Sequence, residues 1–467
     1  MVKIKTISRT AEDTVRKTKH DITKVHHNRD PALHPFERAR EYTKALVATK
    51  MDKMFAQPFI GAMDGHNDSV QCCATVRNKT VPFISGACDG VVKVWDLAHK
   101  ACFWSANAHA GFVRGIAADQ RGSTFFTCGD DKTIKQWALD PNLVELGRSM
   151  EEENGAGDGS MQPLTDNVPI DPLRVIMSTQ STLCIDHHWT DPQFATGGDS
   201  VQLWDPARDT PVHNYQWGSD SVVSCAFNPA ESCLLGSTGS DRSVCLYDLR
   251  SSQPMRKFML PMRSNKLAWN PMEPFNFVLA NEDHNVYSFD MRNLDKALMV
   301  HKDHVSSVMD VAFSPTGRDF VTGSYDRTIR VFKPNTGRSH TMYHTKRMQR
   351  VFTVNYSADS RFIMSGSDDT NVRIWKAEAA AELGVTAGRK ERRGQVRDTI
   401  KKRYSHMPEV KRIASDQHQP KMIKKAAALK HVQNSAARKK QDNRIRHNDV
   451  DTEVVPERKR AVIAQLR

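Results

Sequence analysis

The chain has 467 residues, and its 67 lysines and arginines exceed its 54 aspartates and glutamates, which gives a formal net charge of +13. That length is more than one ordinary single-core domain needs and allows a large repeat domain with extensions. No apolar run is long enough to span a bilayer, and the amino terminus lacks the apolar stretch of a secretory signal, so we expect an intracellular protein without a membrane partner.

The positive charge is concentrated at the two ends of the chain. Residues 1–62 hold 13 basic and 7 acidic side chains, and residues 377–467 hold 23 basic and 11 acidic ones. The middle, 63–376, holds 31 basic and 36 acidic side chains. Basic ends on a mildly acidic body favour arms that dock onto a polyanion, although basic tails also serve simply to keep a protein soluble.

All nine cysteines lie between Cys72 and Cys245, and none has a Cys-x-x-Cys spacing. An odd number of cysteines without pairing or metal-binding spacing indicates reduced thiols, which agrees with an intracellular protein.

A repeated segment follows the first 52 residues, which are predicted to form a basic extension. Each of seven copies has an Asp-led turn, alternating residues and a terminal aromatic residue. The aromatic residues are Trp95, Trp137, Trp204, Tyr247, Phe289, Phe332 and Trp375. Five of the six intervals between them are 42 or 43 residues, and one is 67. This spacing is typical of four-stranded propeller blades.

The residues inside each copy alternate as in a β-strand. Val92-Lys93-Val94-Trp95 has the two-residue period of a strand with one buried face, whereas a helix needs a period near 3.6. The sequence therefore predicts an all-β fold, a seven-bladed propeller over residues 53–376. The pairs Trp95-Asp96, Trp204-Asp205 and Gly65-His66 resemble the WD-repeat family, which implies the same architecture.

Two features of the repeat region need separate explanations. Trp375 ends the third strand of the last blade, so the outermost strand is missing, and we expect residues 53–63 to supply it and to remove an exposed edge. The long interval contains an acidic, glycine-rich stretch at about 140–172, which predicts a disordered loop inserted into the third blade.

Three sets of His, Ser or Thr, and Asp have the composition of a hydrolytic triad. They are His66, Ser85 and Asp89; His109, Thr127 and Asp131; and His304, Thr322 and Asp326. Because one active site does not need three copies at similar offsets, we interpret them as structural. In WD-repeat proteins a similar set, completed by the aromatic residue, forms a buried hydrogen-bond network.

No other part of the sequence predicts a reaction. His187 and His188 are adjacent on a strand-like segment and point to opposite faces, which disfavours a shared metal ion. We therefore predict no catalytic residues, no cofactor and no metal.

Two repeats are followed by an Asp-x-Arg motif. The first motif pairs Asp248 with Arg250, and the second pairs Asp290 with Arg292. A similar motif docks the adaptor in WD-repeat substrate receptors of cullin-RING ubiquitin ligases. The same motif also occurs where the arginine only pairs with a neighbouring turn, so both interpretations stay open.

After Trp375 the alternating pattern stops, and residues 377–467 are rich in Ala, Lys, Arg and Gln, which predicts a basic helical arm. Pro420 is well placed at the start of a helix that runs to about His447. Its apolar positions, Ile423, Leu429 and Val432, are too sparse to bury a stable face, so we expect it to order against a partner. A solvated helix is the alternative.

Both ends of the chain resemble one family. The motifs KKRYSHMPEVKRIA (Lys401 to Ala414), QHQPK (Gln417 to Lys421) and ARKKQDNRIRHN (Ala437 to Asn448) resemble the Sof-type C-terminal domain found on WD-repeat proteins of the small-subunit processome. DPALHPFERAREYTKALVATK (Asp30 to Lys50) and AHAGFVRGI (Ala108 to Ile116) resemble the same family.

The resemblance implies a non-catalytic scaffold of the nucleus and nucleolus. Its partners would be pre-ribosomal RNA, a small nucleolar RNP particle and processome proteins, and its role the maturation of small-subunit ribosomal RNA. A receptor of a cullin-RING ligase is the alternative. The residues expected to contact the particle are Lys401, Lys402, Arg403, Lys411, Arg412, Lys421, Lys424, Lys425, Arg438, Lys439, Lys440, Arg444 and Arg446.

Overall fold

The computed structural model describes residues 36–139, 171–216, 220–251, 254–385, 387–447 and 455–466. Contacts between residues divide the chain into two units. The smaller unit contains the described part of Met1–Ala56 together with Glu382–Asp416, and the larger one contains Gln57–Ala381 and Gln417–Arg467. The predicted boundaries at 52/53 and at 376/377 therefore differ from those of the structure, because the C-terminal segment contributes to both units.

The smaller unit contains three helices, α1 (Glu37–Met54), α2 (Gly388–Arg403) and α3 (Pro408–Ser415). α1 packs against both of the others. It buries Ala45 and Ala48, and Val410 of α3 is also buried. Pro408 is in the first turn of α3, where proline loses no helical hydrogen bond. Lys53 and Met54, predicted to belong to the ring-closing segment, lie in α1.

The larger unit is a seven-bladed propeller, and six of its blades contain an antiparallel sheet of four consecutive strands, to which blade four adds a fifth strand from the C-terminal segment. The last blade takes one of its four strands from the start of the repeat region. Blade one contains β2 (Val70–Thr75), β3 (Pro82–Ala87), β4 (Val91–Asp96) and β5 (Ala101–Asn107). Blade two contains β6 (Val113–Ala118), β7 (Thr124–Gly129), β8 (Thr133–Ala138) and β9 (Arg174–Met177). Blade three contains β10 (Cys184–His187), β11 (Phe194–Gly197), β12 (Val201–Trp204) and β13 (His213–Tyr215).

The remaining blades have the same order from the centre outwards. Blade four contains β14 (Val222–Phe227), β15 (Leu234–Gly239), β16 (Ser243–Asp248) and β17 (Pro254–Met259). Blade five contains β18 (Ser264–Trp269), β19 (Asn276–Asn281), β20 (Asn285–Asp290) and β21 (Met299–Lys302). Blade six contains β22 (Val308–Phe313), β23 (Phe320–Ser324), β24 (Ile329–Phe332) and β25 (Thr341–Tyr343). Blade seven contains β26 (Val351–Tyr356), β27 (Phe362–Ser367), β28 (Val372–Lys376) and β1 (Phe59–Met63).

β1 pairs antiparallel with β28 and closes the ring. Met63 lies opposite Val372, and Phe59 lies opposite Trp375. The ring of Phe59 packs edge-on against Trp375, with centroids 5.4 Å apart. Since the last blade takes its outer strand from the opposite end of the repeat region, its third strand is not left with unpaired backbone groups.

The long interval lies in a different blade from the predicted one. β9, which follows the interval, pairs with β8, so the insertion joins the third and fourth strands of blade two. The expected position in blade three was wrong, because the aromatic residue marks the third strand of a blade and the next strand belongs to the same sheet. Residues 140–170 themselves lie outside the described residues.

Buried apolar side chains fill the space between neighbouring blades. One cluster joins blades two and three and contains Phe126, Ile134, Ile185, Phe194 and Trp204. The innermost strands surround a central cavity of about 690 Å³. There, carboxylates also join adjacent blades: Asp186 accepts a hydrogen bond from the Phe227 amide at 2.7 Å, and Asp310 accepts one from the Val354 amide at 2.8 Å.

The C-terminal part of the larger unit has three elements. α4 (Lys421–His447) is a helix of 27 residues, α5 (Glu457–Arg460) is a single turn, and β29 (Ala464–Leu466) pairs with β17. Blade four therefore has five strands. Ala461 is only 3% exposed and belongs to a cluster that also contains Leu294 and Ala297 of blade five. In the part of the chain that the structure describes, no helix has both the length and the apolar character required to span a bilayer.

Candidate binding surfaces

The three sets of His, Ser or Thr, and Asp lie inside the blades as hydrogen-bond networks. In blade two, His109 Nε2 is 2.9 Å from Thr127 Oγ1, and His109 Nδ1 is 2.9 Å from Asp131 Oδ1. The indole of Trp137 donates to Thr127 Oγ1 at 3.0 Å. Asp131 also accepts from the Thr133 amide, so one carboxylate holds both the histidine and the turn.

The network in blade six keeps the same contacts around His304. Nε2 is 2.7 Å from Thr322 Oγ1, and Nδ1 is 2.8 Å from Asp326 Oδ2. Phe332 replaces the tryptophan, and Thr322 donates instead to the Arg330 carbonyl at 3.2 Å.

Blade one has an incomplete network. His66 Nε2 is 2.6 Å from Ser85 Oγ, which also accepts a hydrogen bond from Trp95 at 2.7 Å. Among the described residues His66 Nδ1 has no hydrogen-bond partner, and Asp89 accepts from the Val91 amide instead. Burial lowers the pKa of His66 to about 4, so the imidazole is neutral at pH 7. The predicted network is therefore present in full around His109 and His304, whereas in blade one it contains His66 and Ser85 but not Asp89.

His187 and His188 make separate contacts, as their adjacent positions predict. His187 Nδ1 is 2.8 Å from the His188 carbonyl oxygen, and His188 Nε2 is 2.7 Å from the Ser232 carbonyl oxygen. Over the described ranges, no group of three or more His, Cys, Asp or Glu side chains is arranged to hold a metal ion.

The two Asp-x-Arg motifs lie in the turns between the third and fourth strands of blades four and five. In each turn the aspartate accepts a hydrogen bond from the arginine amide, at 3.0 Å for Asp248 and 2.9 Å for Asp290. Arg256 connects the two blades, because its guanidinium donates to the Met291 carbonyl oxygen at 3.2 Å.

The two arginine side chains differ in how strongly their own turns hold them. Arg292 makes two bonds to Asp290, at 3.1 and 3.0 Å, and its guanidinium lies 4.6 Å from the centre of the Phe275 ring. Arg250 is 75% exposed, approaches Asp248 only to 4.0 Å and donates to the Cys233 sulfur. The guanidinium of Arg250 is therefore the more available of the two.

α4 lies against the propeller along a narrow face. Ile423 is buried, and Lys430 donates to the His304 carbonyl oxygen at 3.1 Å. Further along the helix, Gln441 accepts a hydrogen bond from Arg460 at 3.1 Å. At about 100° per residue these three α4 positions fall within one stripe. The sequence predicted order only against a partner, and part of that support comes from the propeller itself.

The stripe leaves most of the positive charge of α4 exposed. Eight basic side chains are exposed, and they are Lys421, Lys424, Lys425, Arg438, Lys439, Lys440, Arg444 and Arg446. Asp442 is the single acidic residue in the helix sequence. Burial lowers the pKa of Lys430, which lies in the stripe, despite the nearby Asp283 and Asp326 carboxylates.

Lys430 of α4 and the Asp-x-Arg turns lie on opposite faces of the ring. Successive turns of an antiparallel blade alternate between the two faces. Asp283 and Asp326, close to Lys430, are in turns between second and third strands, whereas Asp248 and Asp290 are in turns between third and fourth strands. The larger unit therefore presents two separate surfaces.

The other candidate basic residues lie in the smaller unit, where acidic residues of α1 neutralise some of them. Arg403 pairs with Glu41 at 2.8 Å, and Lys401 pairs with Asp52 and, at 2.7 Å, with Asp398. Arg403 and Tyr404 both donate hydrogen bonds to Glu41. Burial acts to raise the pKa of Glu41, but these donors outweigh it, and the pKa is lowered. Lys402, Lys411 and Arg412 are exposed.

The last strand, β29, and the residues that anchor it were not predicted from the sequence. The Ala297 amide donates to the Arg458 carbonyl oxygen at 3.0 Å, and the Ile463 amide donates to the Met259 carbonyl oxygen at 2.9 Å. The short apolar run Ala461-Val462-Ile463 was the available signal, but three residues do not identify the strand that they pair with.

Family models match two parts of the chain. The model described as "Sof1-like domain" matches residues 377–462, and the model described as "WD domain, G-beta repeat" matches 57–96, 100–138, 209–248, 295–333 and 338–376.

Relatives match over the whole length. The chain is 44% identical to DDB1- and CUL4-associated factor 13 of Xenopus laevis over 99% of both chains, and 44% identical to that of Homo sapiens over 100% of both. It is 42% identical to Protein SOF1 of Saccharomyces cerevisiae, over 100% of this chain and 95% of the relative. The WD40 β-propeller domain of Doa1 shares the fold, with a TM-score of 0.55 and 18% identity over 69% of this chain and 97% of that domain.

Proposed function

The chain belongs to the family of WD-repeat proteins with a Sof1-like domain, and from this premise we propose that it is a non-catalytic scaffold in ribosome biogenesis. It acts in the small-subunit processome of the nucleolus, where it is needed for maturation of small-subunit ribosomal RNA. Its partners are pre-ribosomal RNA with its small nucleolar RNP particle, and processome proteins.

One observation supports this proposal most directly, the exposed basic face of α4. The helix is about 40 Å long at 1.5 Å per residue and carries eight exposed basic side chains. The buried Ile423 and the hydrogen bond from Lys430 hold it on the propeller. A held helix loses less conformational freedom on binding than a disordered tail, so its charges bind phosphates more effectively.

The chemistry of these side chains suits RNA backbones. Lysine and arginine neutralise phosphates and release counterions, which gives affinity with little sequence preference and a strong dependence on salt. The propeller offers loops on two faces for protein partners. The three buried histidine networks stabilise blades, and their repetition favours a structural role over catalysis.

The experiment that tests the proposal sequences the RNA crosslinked by ultraviolet light to the tagged full-length chain in cells. Removing residues 377–467 is unsuitable as a variant, because β29 and Ala461 are part of the blade structure. The better variant replaces the eight exposed basic residues of α4 by alanine, since they lie away from the buried stripe. Its control replaces Lys401 and Arg403 by alanine, because these two side chains are already paired with Asp52 and Glu41.

Enrichment of small-subunit precursor rRNA with the unchanged chain, lost in the α4 variant and kept in the control, is the expected result. If the enrichment persists in the α4 variant, the RNA is bound by a surface other than α4. If no ribosomal precursor or small nucleolar RNA is enriched with the unchanged chain, the proposed function is wrong.

A second candidate function is that of a receptor in a cullin-RING ubiquitin ligase, and the exposed Arg250 guanidinium favours it. The vertebrate relatives are named for association with DDB1 and CUL4. Since Arg250 lies on the face opposite Lys430 of α4, adaptor docking is compatible with a particle bound at α4.

Single substitutions separate this function from the first. We expect Arg250→Ala to weaken binding of purified DDB1 at least 10-fold and Arg292→Ala to weaken it less, because Arg292 is already bonded to Asp290. Neither change should alter the crosslinked RNA. Equal affinity of DDB1 for the Arg250→Ala variant and the unchanged chain would exclude docking through this turn.

A further inference from the structure

The amino-terminal half of α4 has an apolar surface that faces away from the propeller. Met422 is 80% exposed, Leu429 is 66% exposed and Val432 is 63% exposed. At about 100° per residue they fall within an arc of about 80°, whose centre lies about 130° from the stripe of Ile423 and Lys430. Single exposed apolar residues are ordinary on protein surfaces, but three on one exposed face of a helix are typical of a binding surface.

Two lysines accompany this apolar face. Lys425 lies within the same arc, between Val432 and Leu429 in helical angle, and Lys421 lies about 20° beyond Val432. Both are exposed. Their charge complements carboxylates, while the three apolar side chains require a site from which water is excluded.

The carboxyl-terminal half of α4 is different. Between residues 438 and 446 the exposed side chains include Arg438, Lys439, Lys440, Arg444 and Arg446. Ile445 is partly buried and is the sole large apolar residue in that stretch. The chain rises about 21 Å from Lys425 to Lys439, which separates the two halves physically.

RNA is a poor occupant for the apolar half. Proteins that bind exposed bases do so by stacking aromatic rings on them, and α4 contains no Phe, Tyr or Trp between residues 421 and 447. The phosphate backbone gains nothing from Met422, Leu429 or Val432. A protein groove with an apolar floor and an acidic rim uses both the apolar face and the neighbouring lysines.

We propose that Met422, Leu429 and Val432 of α4, together with the neighbouring Lys421 and Lys425, dock into an acidic-rimmed apolar groove of a protein partner. The carboxyl-terminal half of the same helix contacts RNA phosphates. This inference deepens the proposed function, since it divides the particle contacts of α4 between protein and RNA.

The first test uses a defined RNA probe with the purified full-length chain. The probe is a single strand of about 20 uridines, and the three variants are L429S/V432S, R438A/K439A/K440A and, as a matched control outside the apolar arc, N434S/A437S. We expect L429S/V432S and the control to leave RNA affinity within 2-fold. The triple variant should reduce the slope of log K against log salt by about 2, because three phosphate contacts are lost.

The second test places a photo-crosslinking benzoylphenylalanine at position 429 or 439 of the full chain in cells. We expect position 429 to crosslink to a protein segment rich in Asp and Glu around apolar residues, and position 439 to crosslink to RNA. The purified partner identified in this way should bind L429S/V432S at least 10-fold more weakly than the unchanged chain, and N434S/A437S equally well.

Three results would overturn the inference: crosslinks from position 429 that are lost on RNase treatment, no protein crosslink there, or equal partner affinity for L429S/V432S and the control. Unchanged melting temperatures of the variants ensure that loss of binding does not come from unfolding. If precursor rRNA is absent from the particle but the groove partner is found, the proposed function fails while the docking surface stands.

Discussion

The two parts of the basic C-terminal segment resemble each other in composition and differ in structure. Residues 382–416 hold 10 basic and 5 acidic side chains, and residues 417–467 hold 13 basic and 5 acidic ones. In the first part, Lys401 and Arg403 pair with Asp52 and Glu41 of α1. In the second part, eight basic side chains of α4 are exposed.

This difference shows that the charge of a segment does not equal the charge available to a partner. An ion pair within the chain must be broken before its lysine or arginine binds a phosphate, and the broken pair reduces the gain. The second part also belongs to the larger unit by its packing, since Ala461 and β29 complete blade four. The predictions below test these two distinctions.

The largest effect is expected from Ala461→Asp, which puts a carboxylate into the cluster around Leu294 and Ala297. Burying an unpaired polar or charged group costs on the order of 3 kcal/mol of unfolding free energy. Ile463→Asp is the control, because Ile463 is 62% exposed, and its effect should stay within about 0.5 kcal/mol. Thermal or urea unfolding of the full chain measures the stability of both variants. Equal stability of the two would show that Ala461 does not contribute to the packing of the blades.

The next effect concerns RNA affinity. Alanine at the eight exposed basic positions of α4 should weaken binding of a single-stranded RNA at least 100-fold at physiological salt, because several phosphate contacts are lost together. Alanine at Lys401 and Arg403 should weaken it less than 3-fold, since both are paired within the smaller unit. Fluorescence anisotropy at several salt concentrations makes the comparison. Similar losses in the two variants would contradict the distinction between the two parts.

A smaller effect is expected on the stability of the helical unit. Lys401→Ala with Arg403→Ala removes partly exposed ion pairs, each worth about 0.2–1 kcal/mol. Hydrogen exchange of the α1 amides in the full chain should become faster, while that of the blade strands stays the same. Lys402→Ala is the matched control, because the Lys402 side chain is exposed and adjacent in sequence.

The smallest effect is a dependence of the same unit on pH. The pKa of Glu41 lies below its ordinary value of 4.5, because the hydrogen bonds from Arg403 and Tyr404 outweigh the opposing effect of burial. Its contribution to stability is therefore complete above pH 4.5 and is lost as the pH falls through the lowered pKa. Exchange of α1 amides, corrected for intrinsic rates, should show this loss. In the Glu41→Gln variant this dependence of stability on pH should disappear. If it persists, another titratable group is responsible for it.

Much of the fold follows from local pattern in the sequence. The spacing of the seven aromatic residues gives the number of blades, and the turn aspartates place each second-to-third turn. The histidine networks were also predictable, because His109, Thr127 and Asp131 lie in consecutive elements of one repeat. A repeat carries its own hydrogen-bond partners, so one copy predicts the general arrangement of the others, although Asp89 and Phe332 depart from it.

The tertiary structure alone decided where the irregular parts belong. The insertion lies in blade two because β9 pairs with β8, and the C-terminal strand belongs to blade four because β29 pairs with β17. Glu41 and Asp52 pair with basic residues that are more than 340 positions away in the sequence. Packing therefore decides which basic residues are neutralised within the chain. Periodicity is a property of neighbouring residues, whereas strand pairing and charge neutralisation across such separations depend on packing that local sequence does not encode.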